Sequence, residues 1–271
     1  MRKPILSIDD LQILDPSGHA LVDGVSIQLY DSEFVGIVGE SGSGKSLTAL
    51  ALLNAVPEGL QVDYEKYVLF GKDFTGFSDE ERRAVIGKKL GYVAQNTVSF
   101  LHPFLKIKQQ IGDGYRYHLQ KTQHESEQKA AQLLEQVGIT DSKRILNSYP
   151  FELSGGMKQR VQIAGALMTD PEIIIADEPT TALDTIHQRQ VMNLFARLNE
   201  ELKIPILFIS HDLHIIKKYC QRVYVMHEGK IVESGPVEKI FTTPEHPYTK
   251  KLVDSTLFFN GSGNNQEREE S

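Results

Sequence analysis

The chain has 271 residues, of which 40% are hydrophobic, and a formal net charge of −7. That length carries one large domain or two modest ones with a real core, and the charge is the wrong sign for a general nucleic-acid binder. Cys220 is the single cysteine, which excludes an internal disulfide and a cysteine-ligated cluster and leaves a buried, inert thiol as the expectation. At the start of the chain Asp9 and Asp10 interrupt any signal-like apolar region, and no run approaches the ~20 apolar residues that span a bilayer. A soluble, cytosolic chain is expected.

In chain order, Ile5 to Leu14 and Val25 to Leu29 read as strands around a Pro16-Ser17-Gly18 turn, and Tyr67 to Phe70 as another. They predict a small β layer. Phe34 to Val38 is a short apolar run with β-branched residues, a buried strand, and Leu47 to Leu53 is a helix-forming run. The pattern turns helical from Glu80, and Leu90 to Ala94 is a core strand that ends at the polar Gln95. Phe100 to about Leu153 is polar, with Leu133, Leu134 and Val137 at helical spacing, and reads as a helical insertion. Ile173 to Ala176 and Ile206 to Ile209 are continuous apolar runs, as expected of parallel strands covered on both faces. Helical stretches at Ile186 to Leu202 and Leu213 to Tyr219 alternate with them, and Val223 to Met226 and Lys230 to Val232 close the sheet. The alternation predicts an α/β doubly wound fold. Asn260 to Ser271 is polar and acidic, and is expected to be disordered.

Between the Phe34 strand and the helix that follows lies Gly39-Glu40-Ser41-Gly42-Ser43-Gly44-Lys45-Ser46, with Leu47 next. It matches G-x-x-x-x-G-K-[ST] without a substitution, in the strand, loop and helix context the motif requires. Glycines at 39, 42 and 44 let successive N–H groups and the helix N-terminus face an anion. Lys45 brings a point charge to β/γ-phosphates, and Ser46 a hydroxyl to Mg²⁺. The alternative, a glycine turn capping an ordinary helix, leaves that context unexplained. Asp177 and Glu178 follow the Ile173 run, at the strand end where open α/β sheets bind ligands. One carboxylate there can hold Mg²⁺ and the next can orient or deprotonate water.

Leu153-Ser154-Gly155-Gly156-Met157-Lys158-Gln159-Arg160 resembles the LSGGQ signature of ATP-binding cassette (ABC) proteins, and Ser154 precedes Glu178 by 24 positions (178 − 154 = 24) as in that family. The resemblance covers nearly the whole chain. Gln95 matches the Q-loop, Asp177 the Walker B aspartate, Glu178 the catalytic glutamate, Ala182-Leu183-Asp184 the D-loop and His211 the switch histidine. It implies a RecA-like P-loop core with an N-terminal antiparallel β subdomain and a helical subdomain at about 100–165. The nucleotide-binding domain would run over 1–241, with a short C-terminal extension over 242–271. It also implies a head-to-tail dimer with two ATP molecules between phosphate loop and opposing signature. In that arrangement Lys45 and His211 meet γ-phosphate charge, and Ser46, Gln95 and Asp177 arrange Mg²⁺. Glu178 handles the water, while Ser154, Gly155, Gly156 and Met157 complete the partner's site. Each also has a plainer reading: Ser154 as a helix N-cap, His211 and Gln95 as surface side chains.

Gln95-Asn96-Thr97-Val98-Ser99-Phe100-Leu101-His102-Pro103 is similar to the Q-loop segment of the peptide and nickel importer branch, and Pro244-Glu245-His246-Pro247-Tyr248-Thr249 to its HPYT element. This implies a subunit at the cytoplasmic face of the membrane, working with a second ATPase, two permeases and an extracytoplasmic solute-binding protein. Phe100 to Leu105 is an expected exposed apolar patch for the permease. Two features depart from the branch. Leu11-Gln12-Ile13-Leu14 offers no aromatic ring for adenine, with His19 a weak substitute, and there is no cysteine-containing C-terminal extension, which tilts the cargo towards nickel or a metal chelate. A soluble cassette ATPase of DNA repair or ribosome regulation shares the nucleotide motifs, but such proteins carry coiled coils, zinc cysteines or paired cassettes. A catalytically dead cassette would not keep Lys45, Glu178 and His211 together.

Overall fold

The computed structural model describes residues 2–95, 100–181 and 183–261. Two sheets share the work. β1 (Leu6–Leu14) and β2 (Ala20–Leu29) form an antiparallel pair around the predicted turn, where the Asp15 carboxylate accepts from Ser17 and His19 amides. Leu6 and Ile8 point into the core, a bulge follows, and Leu11 and Ile13 return to the same side. β2 starts five residues before the sequence suggests. Asp23-Gly24 interrupts the apolar run, but Gly24 at φ +70 lies where the pairing slips between Val22 and Val25, so the strand passes through.

β3 (Phe34–Val38) leads through the glycine loop into α1 (Lys45–Leu52). β4 (Gln61–Asp63), β5 (Lys66–Leu69) and β6 (Lys72–Asp73) complete the antiparallel sheet, in the order β2-β1-β5-β6 with β4 also on β1. β4 and β6 are three- and two-residue exposed strands without alternation, and nothing in their sequence announces them. α2 (Asp79–Lys89) starts at Ser78, whose capping box with Glu81 satisfies two backbone donors. It feeds β7 (Leu90–Val93).

The 100–165 region is helical: α3 (Ile107–Gln110), α4 (Asp113–Leu119), α5 (Gln123–Gln136), α6 (Ser142–Asn147), a 3₁₀ turn at Pro150–Glu152 and α7 (Gly155–Ala166). The second sheet is finished by β8 (Ile173–Asp177), β9 (Ile206–Ile209), β10 (Arg222–His227) and β11 (Lys230–Pro236). Its order is β11-β10-β3-β9-β8-β7, parallel except for β11. α8 (Thr185–Leu202) and α9 (Leu213–Tyr219) alternate with these strands, and α10 (Val237–Thr242) and α11 (Pro247–Gly261) follow.

Every residue of β3, β8 and β9 is buried. Phe34, Ile174, Ala176 and Phe208 face a core shared with the helical segment, while Val35, Ile175, Leu207 and Ile209 face one shared with the β layer. The tail expectation needs correcting at its start, since α11 continues through Asn260 and Gly261; residues 262–271 lie outside the described residues, as do Asn96–Ser99 of the Q-loop segment and Ala182 of the D-loop. Within the expected apolar patch Phe100, Phe104 and Leu105 are exposed, but Leu101 is buried. No helix among the described residues is long and apolar enough to cross a membrane.

Candidate functional site

β3 delivers the chain to a loop that only glycine can complete. A Cβ on Gly39 would stand 2.1 Å from the Met226 carbonyl oxygen at the end of β10, and one on Gly44 (φ +101) would stand 2.7 Å from Met226 Cε. Close approach, as well as positive φ, therefore demands glycine. Lys45 is buried, and its ammonium donates to the Gly39 carbonyl at 2.9 Å, the Glu40 carbonyl at 2.7 Å and the Ser43 hydroxyl at 3.4 Å. Burial pulls its pKa down, opposed by the Glu178 and Asp177 carboxylates. The Glu40 N–H donates to the Tyr248 hydroxyl at 3.0 Å.

Ser46 donates from its hydroxyl to Asp177 Oδ1 at 3.1 Å, and Tyr92 donates to Oδ2 at 3.4 Å. Burial raises the Asp177 pKa, against the hydrogen bond from Ser46. Glu178 carries φ +44, a left-handed backbone costing a side-chain-bearing residue on the order of 1 kcal/mol, and such strain gathers at functional sites. Its N–H is fixed on the Ile209 carbonyl. Its Oε2 receives Gln95 Nε2 at 3.0 Å and Thr181 Oγ1 at 2.9 Å, with His211 Nδ1 at 3.0 Å.

Ser41, Gly42, Gly44, Lys45, Ser46 and Leu47 line one cavity of about 610 Å³ together with Gln95 and Glu178. Gly39, Glu40 and Ser43 form the turn beneath, Asp177 joins through Ser46, and His211 joins through Glu178. The cavity is also lined by His19, Ala20 and Leu21 and by Glu228 and Gly229, with Gly229 packed against the Leu21 backbone. Ile13 is fully buried in the β layer and offers nothing to this cavity; His19, at the turn before β2, is the aromatic residue that does.

Ser46, Asp177 and Gln95 offer a hydroxyl, a carboxylate and an amide oxygen. This hard-oxygen set suits Mg²⁺, which takes few protein ligands and fills its octahedron with water and phosphate oxygens. Among the described residues no cluster of three His, Cys, Asp or Glu side chains supplies a complete protein cage.

Ser154, Gly156 and Met157 line a separate recess of about 290 Å³. Ser154 caps α7, accepting from Met157 N–H at 3.3 Å, and Ser154 and Gly155 are exposed. Asp184 caps α8 through the Ile186 and His187 amides, and its Oδ2 meets His187 Nδ1 at 2.6 Å. The His187 ring lies against Gly156, where a Cβ would stand 2.7 Å from Cδ2. Sequence reasoning passed over His187, Thr181 and Tyr92, which no motif marks, and placed Tyr248 in a motif without seeing that it reaches the phosphate loop.

The sequence profile of the ABC transporter family matches residues 22–181, more than half of the chain. The chain belongs to the ABC transporter ATPase family. The ABC profile is followed by that of the oligopeptide/dipeptide transporter C-terminal region over 232–269, in agreement with the importer-branch resemblance of the Q-loop and HPYT segments. Relatives include the peptidoglycan transport ATP-binding protein YejF of Agrobacterium fabrum, 43% identical over 255 residues. That match takes in 93% of this chain and 47% of YejF, so the chain spans about half of that relative. A putative peptide import ATP-binding protein of Brucella abortus is 40% identical, over 94% of this chain and 78% of its own length. Among solved structures, the ATP-binding cassette MJ0796, in a dimeric post-hydrolysis state bound to ADP and Pi, superposes with a TM-score of 0.75 at 24% identity, covering 86% of this chain and 98% of that one. CbiO1 of Clostridium perfringens, part of the cbiONQ transporter complex, gives 0.73 at 24%, covering 96% and 98%. These two likenesses bear on the fold alone, which is the ABC ATPase cassette.

Proposed function

We propose that this ABC ATPase energises the import of small peptides, hydrolysing ATP in a head-to-tail dimer at the cytoplasmic face of the membrane. The observation that carries the catalytic reading is the Glu178 carboxylate, held by Gln95, Thr181 and His211 at the wall of the cavity that the glycine loop encloses. A carboxylate oriented in this way can align a water molecule and take its proton. Lys45 exchanges the Gly39 and Glu40 carbonyls for the β- and γ-phosphates, and the loop amides and α1 N-terminus cradle them. Ser46, Asp177 and Gln95 would hold Mg²⁺, which when bound supplies charge neutralisation across the phosphates. His211 keeps Glu178 oriented and meets γ-phosphate charge.

Ser154, Gly156 and Met157, with the exposed Gly155 among them in sequence, line a recess that shares no residue with the phosphate-loop cavity. This supports assigning them to a partner's nucleotide, with Asp184 and His187 bracing that surface. The partner is a second ATPase subunit, a heterodimer being the reading carried over from the importer branch. Two membrane permeases and an extracytoplasmic solute-binding protein complete the system. Peptide takes precedence over nickel or a metal chelate because both curated relatives named above carry peptide or peptidoglycan transport names. A cytosolic DNA-repair or ribosome-associated role has no such support.

The test is uptake by cells lacking this chain, complemented with the wild type or with Glu178→Gln, following a labelled peptide in parallel with labelled nickel, cobalt and zinc. Peptide uptake that needs an intact Glu178 is the expected result. Metal uptake alone with that requirement would move the cargo to a metal or its chelate, and no dependence of either would remove the transport reading.

A further inference from the structure

The HPYT segment does more than punctuate a linker. Glu233 on β11 receives two consecutive backbone amides through its carboxylate, from Glu245 at 2.9 Å and His246 at 3.0 Å, and so fixes the chain as it enters α11. One residue into that helix, Tyr248 is buried, and its ring stacks on His227 with centroids 3.8 Å apart and planes at 17°. Its hydroxyl accepts the Glu40 N–H. Glu40 is the second residue of the phosphate loop, and its own carbonyl accepts the Lys45 ammonium. A single loop residue is thus held on one side by the lysine of the phosphate site and on the other by the C-terminal helix. His227 closes the arrangement, because it follows Met226, whose carbonyl abuts Gly39.

We infer that Tyr248 is a positioning residue for the phosphate loop, through which the docking of α11 sets the affinity for ATP. The inference rests on the nucleotide reading of the Gly39–Ser46 loop. Without the hydroxyl, the Glu40 N–H loses its protein acceptor at a part-buried position, and the loop can turn that peptide away from the geometry that presents its neighbours to phosphate. Coupling of this kind is reciprocal, so bound ATP tightens the docking of α11 by the same factor. Anything that draws α11 from its seat loosens the grip on nucleotide. The docked C-terminal segment then supports a site to which, among the described residues, it contributes no lining residue.

The experiment uses the full chain and compares wild type, Tyr248→Phe, Glu233→Ala and Lys45→Ala. ATP affinity, KM and kcat are measured alongside hydrogen exchange of the Glu40 amide. Tyr248→Phe keeps the ring and its stack, so the expected result is a rise in the ATP dissociation constant and KM of about five- to tenfold. Turnover at saturating ATP should stay within about twofold, and the Glu40 amide should exchange faster. Glu233→Ala releases the helix entry from the other side and should produce the same pattern; if Tyr248→Phe fails to fold, this variant decides. A lower melting temperature with KM and Glu40 exchange unchanged assigns Tyr248 a merely structural role and overturns the inference. If the wild type binds ATP no better than Lys45→Ala, the nucleotide reading falls first and takes the inference with it.

Discussion

His211 Nδ1 lies 3.0 Å from Glu178 Oε2, on a carboxylate oxygen that also accepts from Gln95 and Thr181. One oxygen carries the restraint, so the rotation of the carboxylate is set by side chains from three segments of the chain. Glu178→Gln keeps the shape and removes the base. It should retain ATP binding while turnover falls by about two to four orders of magnitude. Because His211 orients the same carboxylate, His211→Ala combined with Glu178→Gln should cost less than the product of the two single losses, the remainder being its contact with γ-phosphate charge. Phosphate release at saturating ATP reads this out, and two fully multiplying losses would contradict the coupling.

Asp177 separates stability from activity. Burial lifts its pKa above the ordinary 3.8, and the Ser46 hydroxyl only partly offsets this. A folded-state pKa above the unfolded value means a stabilising contribution that is present in full below about 3.8 and lost as pH rises through the higher folded pKa. At neutral pH the ionised carboxylate is therefore a cost. Asp177→Asn should melt higher than wild type at pH 7 in the absence of nucleotide, by roughly 2–4 °C for each kcal/mol recovered in a domain of this size. The advantage should shrink towards pH 4, and hydrolysis should be lost. Equal or lower melting of the variant at pH 7 would refute the argument.

The glycines of the phosphate loop should not be equivalent in stability. An added Cβ at Gly39 meets the Met226 carbonyl at 2.1 Å, whereas at Gly42 it meets nothing within 4 Å. Gly42→Ala should cost about 1 kcal/mol for its positive φ alone. Gly39→Ala should cost at least about 2 kcal/mol, since backbone must move. Urea unfolding of the two variants gives the comparison, and similar midpoints would speak against the close approach at Gly39.

Phe104 is 79% exposed, an apolar ring whose cost in water suggests a covering partner. Phe104→Glu should leave folding stability within about 0.5 kcal/mol and ATP binding unchanged, yet abolish uptake by the assembled transporter. Retained uptake would place the permease contact elsewhere; Phe100, 45% exposed on the same stretch, is the second position to substitute.

The strands of the parallel sheet were legible because burial on both faces leaves unbroken apolar runs. Ile206–Ile209 and Leu213–Tyr219 end where the sequence indicates. The start of β2 was hidden by Asp23-Gly24, which breaks the apolar run in sequence and serves a bulge in the sheet. The phosphate loop, Asp177 and Glu178 announce themselves by spacing. Thr181 and His187 do not, because their contacts depend on how a strand end and a helix start are brought together. Tyr248 shows the same limit across a longer reach: 208 positions separate it from Glu40, and no periodicity links them.

The parallel sheet also acts as a partition. Alternate residues of a single strand, such as Ile174 and Ile175, belong to different cores, so the side chains on the two faces are insulated from one another by a layer of backbone. Substitutions on opposite faces should therefore combine additively. A helical lobe can be recut to suit a new membrane companion without repacking the face of the sheet that meets the β layer, whereas Val38 and Tyr248, which lead into and hold the phosphate loop, share the lobe's own core and tie the loop to it.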